Sequence, residues 1–145
     1  MPLNKLIEAL HKNECSLVLE DQGGNVRLFY KKGVRDLEYL LDHEPEALKG
    51  ATAADKVVGK AAAGMMAYGG LKEVYADVLS RKAVPLLQAN GVAYSYGQIV
   101  DNIVIPKGDT RCPLEKIVEP ATTATETVEL LRKHFAEMRN IQLQS

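Results

Sequence analysis

Four polar residues in one segment of the chain, Thr52, Asp55, Lys56 and Lys60, have the types and spacing of an anion-binding site. The segment has the composition of a helix that starts with Thr52 as its N-cap and carries Asp55 in its first turn. On that helix Lys56 and Lys60 would share one face, near N–H groups that can hold a phosphate. The alternative is a pair of solvated lysines, with Asp55 complementing the helix dipole.

A second group lies at a junction between a strand and a helix. Ser80 ends the apolar run that begins at Glu73, and Arg81 and Lys82 follow it. A helix start with adjacent cations can bind an anion outside the carboxyl end of a sheet. The other interpretation of Ser80 is a plain N-cap that satisfies backbone N–H groups.

Cys112 is a candidate nucleophile in the loop sequence KGDTRCP. Arg111 would lower the pKa of its thiol if the two groups are close in space. A cysteine without an identified base partner is usually inert, and the sequence indicates no partner. We assign no role to the three histidines, which fall at predicted helix surfaces: His11, His43 and His134.

The hydrophobic pattern predicts one α/β domain. It indicates an opening helix that ends near Asn13, a hairpin of strands 15–20 and 25–30, a helix over 34–41, and the helix from Thr52 to the glycines at 69 and 70. It then indicates a βαβ unit, made of a strand over 73–79, a helix from Ser80 to Asn90, and a strand over 92–96. Pro85 would distort the first turn of that helix or delay its start.

The C-terminal third contains a further apolar run over 99–105, a loop over 106–115 and a short extended piece at 117–118. A closing helix follows, in which Thr123 and Glu126 form a capping-box pattern. The whole order fits a three-layer α/β/α sandwich, whose mixed sheet has an antiparallel hairpin edge and a parallel half.

Composition narrows the function classes. The formal net charge of −1 provides no long-range field for nucleic acid, and charged residues interrupt the most apolar stretch, so we expect neither a nucleic-acid partner nor a membrane span. Two distant cysteines fit a reducing compartment, which favours a cytoplasmic location. The chain has no GxGxxG or GxxxxGK[ST] loop for a nucleotide. Exposed edge strands and helices rich in alanine and methionine favour a homo-oligomer.

Three strings carry a resemblance to a known family: ADKVVGKAAA at 54–63, VYADVLS at 74–80 and CPLE at 112–115. They resemble an uncharacterised prokaryotic family known only as a domain of unknown function, whose fold is similar to that of cytidine deaminases. The resemblance runs from the first hairpin to the CPLE loop and implies a cytidine deaminase-like fold. It places Asp55 within one residue of the catalytic glutamate of the deaminases, where it could act as a general base or hold a ribose hydroxyl.

The zinc ligands of the deaminases are missing from this sequence. Those enzymes hold zinc with a His or Cys two residues before the catalytic Glu and with a PCxxC pair at the next helix start. Neither the residues around Asp55 nor those around Ser80 include a His or Cys. We therefore expect no metal and no cofactor, and deamination lacks its water activator.

Two function hypotheses follow. The first is a metal-free binding protein or enzyme that holds a nucleotide-like anion between the helix starts at Thr52 and Ser80. The second is a non-catalytic, homo-oligomeric interaction domain whose pocket is vestigial. The two differ in whether Asp55, Lys56 and Lys60 converge on an open cavity or are consumed in internal contacts.

Overall fold

The protein is a five-stranded mixed sheet with helices on both faces. The computed structural model describes residues 2–31, 34–103 and 113–144. The helices are α1 Leu3–Lys12, α2 Arg35–His43, α3 Pro45–Leu48, α4 Lys60–Gly69, α5 Val84–Ala89, α6 Pro113–Val118 and α7 Ala124–Gln144. The strands are β1 Leu17–Glu20, β2 Val26–Phe29, β3 Thr52–Val58, β4 Glu73–Ser80 and β5 Ala93–Val100.

The strands lie in the order β2-β1-β3-β4-β5. β1 pairs antiparallel with both β2 and β3, whereas β3, β4 and β5 are parallel. Helix α4 connects β3 to β4, and α5 connects β4 to β5. The predicted combination of an antiparallel hairpin edge with a parallel half is therefore confirmed.

The predicted helix from Thr52 is wrong in its first half, because residues 52–58 form the central strand β3. Ala53 and Ala54 are both buried, and they pack into the cores on opposite faces of the sheet. A strand that is buried on both faces loses the alternation that marks a half-exposed strand. The helix begins only after Gly59, whose backbone is extended.

Helix α4 is buried on every side. All seven residues from Ala61 to Ala67 are buried, with the sheet on one flank and α7 on the other. The crossing with α7 is close, since a Cβ added at Gly64 would lie 2.3 Å from the Cγ2 atom of Thr127. The polar face that the sequence predicted for this helix is therefore absent, and Lys60 is its only charged residue.

Helix α1 covers the other face of the sheet at β1 and β3. Leu6 and Leu10 of this helix pack with Cys15, Val18 and Ala54 in a small second core. The predicted end of this helix near Asn13 is confirmed, since Asn13 is its C-cap. α1 and α4 therefore occupy opposite sides of β3, as a three-layer sandwich requires.

The three parallel strands change face at the same level. Residues that pack toward α4 are spaced five apart instead of an even number: Ala53 and Val58, Val74 and Leu79, Tyr94 and Ile99. The paired positions likewise skip Lys56, Asp77 and Gly97. Such an irregularity bends a strand and redirects its side chains, and here it crosses three strands in line.

Several terminal elements need correction. Residues 117–118, predicted as extended, belong to helix α6. The apolar run over 99–105 does not start a new element, because Ile99 and Val100 continue β5. The Thr123–Glu126 capping box is confirmed, because the Glu126 N–H donates to the Thr123 hydroxyl at 3.1 Å. Within the described ranges, no helix is long and apolar enough to cross a membrane.

Candidate functional site

The carboxyl ends of β3 and β4 bring the two predicted groups to one edge of the sheet. Val58 and Leu79 are paired in register, and Lys60 and Arg81 each follow two residues later. This edge is where ligands bind in open α/β sheets. The structure therefore places Lys60, Ser80 and Arg81 together, as the sequence predicted, although no helix carries Lys56 and Lys60 on one face.

Glu115 occupies the start of α4. Its Oε1 atom accepts the Lys60 N–H at 2.7 Å, and its Oε2 atom accepts the Ala61 N–H at 2.9 Å. The residue is only 7% exposed, and a Cβ at Gly59 would lie 2.5 Å from Oε1. The helix N-terminus that was predicted to hold a ligand anion thus already holds a carboxylate of the chain itself.

Sequence reasoning missed the contact of Glu115 with α4, although it singled out the CPLE string that ends in this residue. One signal was available. Gly59, which precedes α4, has no side chain to cap the helix, and Asp or Glu carboxylates commonly satisfy uncapped N–H groups. What the sequence did not give was which of its acidic residues would do so, since Glu115 is 55 positions away.

The two lysines have separate surroundings. The Lys60 ammonium donates to the Glu119 carbonyl at 2.9 Å, which ties the start of α4 to the end of α6. Lys56 lies on β3, with its side chain exposed and its backbone N–H bonded to the Ser16 carbonyl. Their predicted pairing on one helix face is wrong, and a ligand role for either residue stays a prediction.

Ser80 and Arg81 end β4 in the predicted way. The Ser80 hydroxyl accepts the Lys82 N–H at 3.2 Å, which confirms the N-cap. The helical segment starts as a single 3₁₀ turn over 81–83, and α5 begins after it at Val84, followed by Pro85. The Arg81 Nε atom donates to Asp101 at 2.9 Å, and both side chains are largely exposed.

Thr52 does not belong to this group. It is the first residue of β3, six positions before Val58. At about 3.3 Å per residue in a strand, it lies about 20 Å from the edge that carries Lys60. The prediction that Thr52 caps a helix and helps to hold a ligand is wrong in its structural premise.

Asp55 lies on β3 below that edge, between Leu17 of β1 and Ala76 of β4 in register. Asp55 as a residue is half-buried. Desolvation of its carboxyl, with smaller contributions from the carboxylates of Asp77 and Asp36, raises its pKa to about 7 against the hydrogen bonds from the N–H groups of Val57 and Lys56. Among the described residues it has no ion pair, and its carboxylate accepts the Val57 N–H at 3.2 Å. Asp55 can therefore exchange a proton near neutral pH.

The remaining predicted residues add little to this edge. Cys112 lies outside the described residues. His11, to which the sequence assigned no role, has its Nε2 atom 2.7 Å from the Asp77 carboxylate. Within residues 2–31, 34–103 and 113–144, no group of three or more His, Cys, Asp or Glu side chains could hold a metal ion.

The cavities lined by described residues lie away from Asp55 and Lys60. One, about 390 Å³, is an open hollow between Ala121 and the α7 residues Glu126 and Lys133. Another, about 320 Å³, lies where Arg35 and Tyr39 of α2 face Arg139 of α7. Neither carries a buried polar group aimed into it. Asp55, Lys56 and Lys60 line none of these cavities, so they do not converge on an open cavity as the binding hypothesis expected.

Comparison with known proteins places this fold. The sequence matches the family described as "TM1506: Domain of unknown function (DUF1893)" over residues 5–135. The chain belongs to the DUF1893 family. The predicted resemblance to a family of unknown function is thereby confirmed.

A crystal structure of a DUF1893 family protein (TM1506) from Thermotoga maritima is similar to the fold described above. The TM-score is 0.80 at 24% sequence identity, and the match covers 91% of this chain and 88% of the other. At that identity the likeness shows a shared fold. No curated protein matches the sequence significantly.

The first prediction concerns the charge on Asp55. The folded state keeps this proton up to about pH 7, whereas the unfolded chain loses it near the ordinary value of 3.8. Wild-type stability should therefore fall relative to Asp55→Asn as the pH rises from about 4 to 7. At pH 8 the variant should be more stable by about 1 to 3 kcal/mol, and at pH 4 the difference should vanish.

Urea unfolding at each pH measures this difference. Asp42→Asn is the matched control, because Asp42 is partly exposed and pairs with Arg132. The difference in stability between Asp42→Asn and wild type should stay constant between about pH 4 and pH 7. An Asp55→Asn curve that runs parallel to wild type from pH 4 to pH 8 would show that Asp55 has an ordinary pKa.

The second prediction concerns the space that Gly59 leaves for Glu115. Gly59→Ala should destabilise the protein by about 1 to 3 kcal/mol, because the new methyl group would collide with the Glu115 carboxylate. In the Glu115→Ala background the same change should cost less than about 0.5 kcal/mol. Urea unfolding measures both losses of stability. Equal losses in the two backgrounds would mean that the Glu115 side chain does not contact the start of α4.

Proposed function

We propose that this DUF1893 protein is a metal-free small-molecule binding protein or enzyme of cytidine deaminase-like fold, whose ligand is a nucleotide-like anion. The site is the edge formed by the ends of β3 and β4. The observation that carries the proposal is Asp55, a carboxyl on the central strand that has no cationic partner among the described residues and a pKa of about 7. Strongly perturbed acids of this kind cluster at functional sites.

A nucleoside hydroxyl is the chemistry that fits Asp55. A carboxyl that exchanges its proton near neutral pH can accept a hydrogen bond from a ribose hydroxyl, donate one, or act as a general base. Its neighbour across the parallel ladder is Ala76, whose small side chain leaves space beside the carboxyl. The charge on the adjacent strand, Asp77, follows Ala76 and lies on the opposite face of the sheet.

The phosphate end of the ligand fits Lys60 and Arg81. Each retains N–H donors beyond its contact with Glu119 or Asp101. Lys60 lies five positions after Asp55, and because β3 ends at Val58 their backbones are at most about 16 Å apart, which suits a molecule the length of a nucleotide. These side chains, rather than the N–H groups at the start of α4, would bind the phosphate, because Glu115 accepts from those N–H groups.

The zinc that the fold family implies does not fit these residues. The two helix starts that would supply zinc ligands have the residues Gly59, Lys60 and Ala61 after β3, and Ser80, Arg81 and Lys82 at the end of β4. None of these side chains is an imidazole or a thiolate, the ligands that zinc takes from such helix starts. The proposed function therefore involves no metal ion.

The third prediction is that a phosphate-bearing nucleotide stabilises the protein. Nucleosides, mononucleotides, adenine dinucleotides and ADP-ribose are compared by melting temperature. At a hundred times its dissociation constant a ligand should add about 2.7 kcal/mol of stability, and unphosphorylated nucleosides should not match the best hit. Native mass spectrometry of freshly purified protein, with and without denaturation, tests for a retained or covalently attached nucleotide.

Variants localise that binding. Lys60→Met keeps the aliphatic stem and should weaken the hit by about 1.5 to 3 kcal/mol, because a charged hydrogen bond is lost. Lys72→Met is the matched control, since Lys72 is exposed at the opposite end of β4. If no nucleotide shifts the melting temperature, or if both lysine variants bind equally well, the site assignment is wrong.

A second candidate function, a homo-oligomeric interaction domain, is favoured by one observation. β5 is an eight-residue strand at the edge of the sheet, four of whose residues are exposed and none of which is buried, and no described strand pairs with its outer side. Tyr96 is 44% exposed there. Long exposed edges pair with other chains unless charge or proline blocks them, and a second copy supplies an identical edge.

The fourth prediction tests this edge. Sedimentation equilibrium should give at least twice the monomer mass of 15.9 kDa. The double variant Tyr96→Lys, Gln98→Lys should shift the mass to the monomer, because charges on an edge strand oppose pairing. Tyr30→Lys, at the opposite edge of the sheet, should leave it unchanged. A monomeric wild type at high concentration would end the oligomer proposal.

A further inference from the structure

A hydrogen-bonded group of three side chains lies on the face of the sheet opposite α4. The His11 Nε2 atom is 2.7 Å from Oδ1 of Asp77, which lies on β4. Tyr75, two residues earlier on the same strand, also bonds to Asp77; burial raises the pKa of the Tyr75 hydroxyl, and its hydrogen bond to Asp77 raises it further. Asp77 is therefore fixed in place from two directions.

Asp77 is close to Asp55 although the two belong to different faces. Ala76, its chain neighbour, pairs in register with Asp55 across the parallel ladder. Adjacent strands lie about 4.8 Å apart, so only one strand spacing and one residue step separate the two backbones. The level at which β3, β4 and β5 change face runs through Asp77, which turns its side chain toward α1.

The backbone is shaped to allow this arrangement. A Cβ added at Gly97 of β5 would lie 3.0 Å from the Asp77 carbonyl and 3.1 Å from the Tyr75 hydroxyl. Any side chain there would press against both residues that form the hydrogen-bonded group. Gly97 thus leaves room for Tyr75 and Asp77 at the level where the strands change face.

The charged groups near Asp55 are mostly acidic. Asp36 of α2 and Asp77 of β4 both repel a negative charge on it. On its own strand, Lys56 is the neighbouring cation, and its side chain is exposed. Beyond Asp77 stands His11 of α1, 53% exposed at its side chain. Of the charged residues near Asp55, Asp77 is the one that hydrogen-bonds to His11, on the face of the sheet that α1 covers.

We propose that Asp77, held by His11 and Tyr75, is a positioning residue whose negative charge opposes a second negative charge on Asp55 across the sheet. This inference rests on the proposed function in that Asp55 is taken as the proton-bearing group of the ligand site. The ionised Asp77 opposes ionisation of Asp55 through the sheet. The face covered by α1 and the face that carries the site are thereby linked by one electrostatic contact.

The experiment measures the pH at which Asp55 loses its proton, without any ligand. Urea unfolding from pH 4 to pH 9 is compared for each background with and without Asp55→Asn, so that the difference isolates Asp55. Fitting that curve with the unfolded value fixed at 3.8 gives the folded-state midpoint, the pH at which Asp55 of the folded protein is half ionised. Asp77→Asn should move this midpoint down by about 0.4 to 1.5 pH units, the range that Coulomb's law gives for one charge at about 8 Å. The rest of the rise in the pKa of Asp55 should remain in this variant, because desolvation causes it.

Two controls separate charge from structure. Glu73→Gln removes a carboxylate from the start of the same strand and should leave the midpoint unchanged. Tyr75→Phe removes a hydrogen bond to Asp77 but no charge at neutral pH, so it should lower stability at every pH without displacing the midpoint. A structural role for Asp77 alone would lower stability in the same pH-independent manner.

The outcomes decide the inference separately from the ligand proposal. If Asp77→Asn does not fold, Asp77→Thr, which suits a strand, replaces it. A midpoint that moves by less than 0.2 pH units in the folded variant overturns the role of Asp77, even if a nucleotide binds. A midpoint that moves as expected while no nucleotide binds upholds the link to Asp55 and rejects the ligand site alone.

Discussion

Helix α4 has no solvent-facing side from Ala61 to Ala67, and the rest of the structure is arranged around that fact. A helix enclosed by a sheet and by α7 must carry small side chains, which explains the alanines and the contact of Gly64 with Thr127. Its N–H groups cannot rely on solvent, and Gly59 offers no cap. The Glu115 carboxylate satisfies them, so α6 is fixed to the start of α4 and the end of β3 is fixed with it.

The same enclosure explains why charge at the sheet edge is divided between separate residues. Glu115 neutralises the positive end of the α4 dipole, so a ligand anion gains nothing from the N–H groups and depends on side chains. Asp55 has the opposite situation, because its carboxyl is desolvated and lies near the carboxylates of Asp77 and Asp36, and the hydrogen bonds that stabilise its ionised form come from backbone N–H groups. One carboxylate is stabilised by a helix terminus, whereas the other is left poised between its two protonation states.

The sequence predicted the layers and the mixed sheet because the hairpin, the βαβ unit and α7 each carry a local signal. It failed at β3, where ATAADKVV has two adjacent buried alanines and two adjacent polar residues instead of the alternation that marks a half-exposed strand. That one error moved Thr52, Asp55 and Lys56 onto a helix face that does not exist. The prediction of Ser80 as a cap succeeded because capping depends on immediate neighbours. Glu115 could not be found, since its partners are 54 and 55 positions away.

The position of Asp55 on a central strand lowers the stability of the folded state once its carboxyl is ionised. That loss of stability bears on why the residue is there. A strand between β1 and β4 is the part of the sheet where a carboxyl is hardest to ionise, and an apolar side chain would serve packing better. The residues around it in the sheet have the apolar side chains that packing favours: Leu17, Ala53 and Ala76. Asp36 and Asp77 increase the penalty instead of relieving it, although a lysine or arginine at either position would have removed it. Stability therefore does not explain the residue, whereas a proton held near neutral pH beside the ends of β3 and β4 is what binding or acid–base chemistry requires.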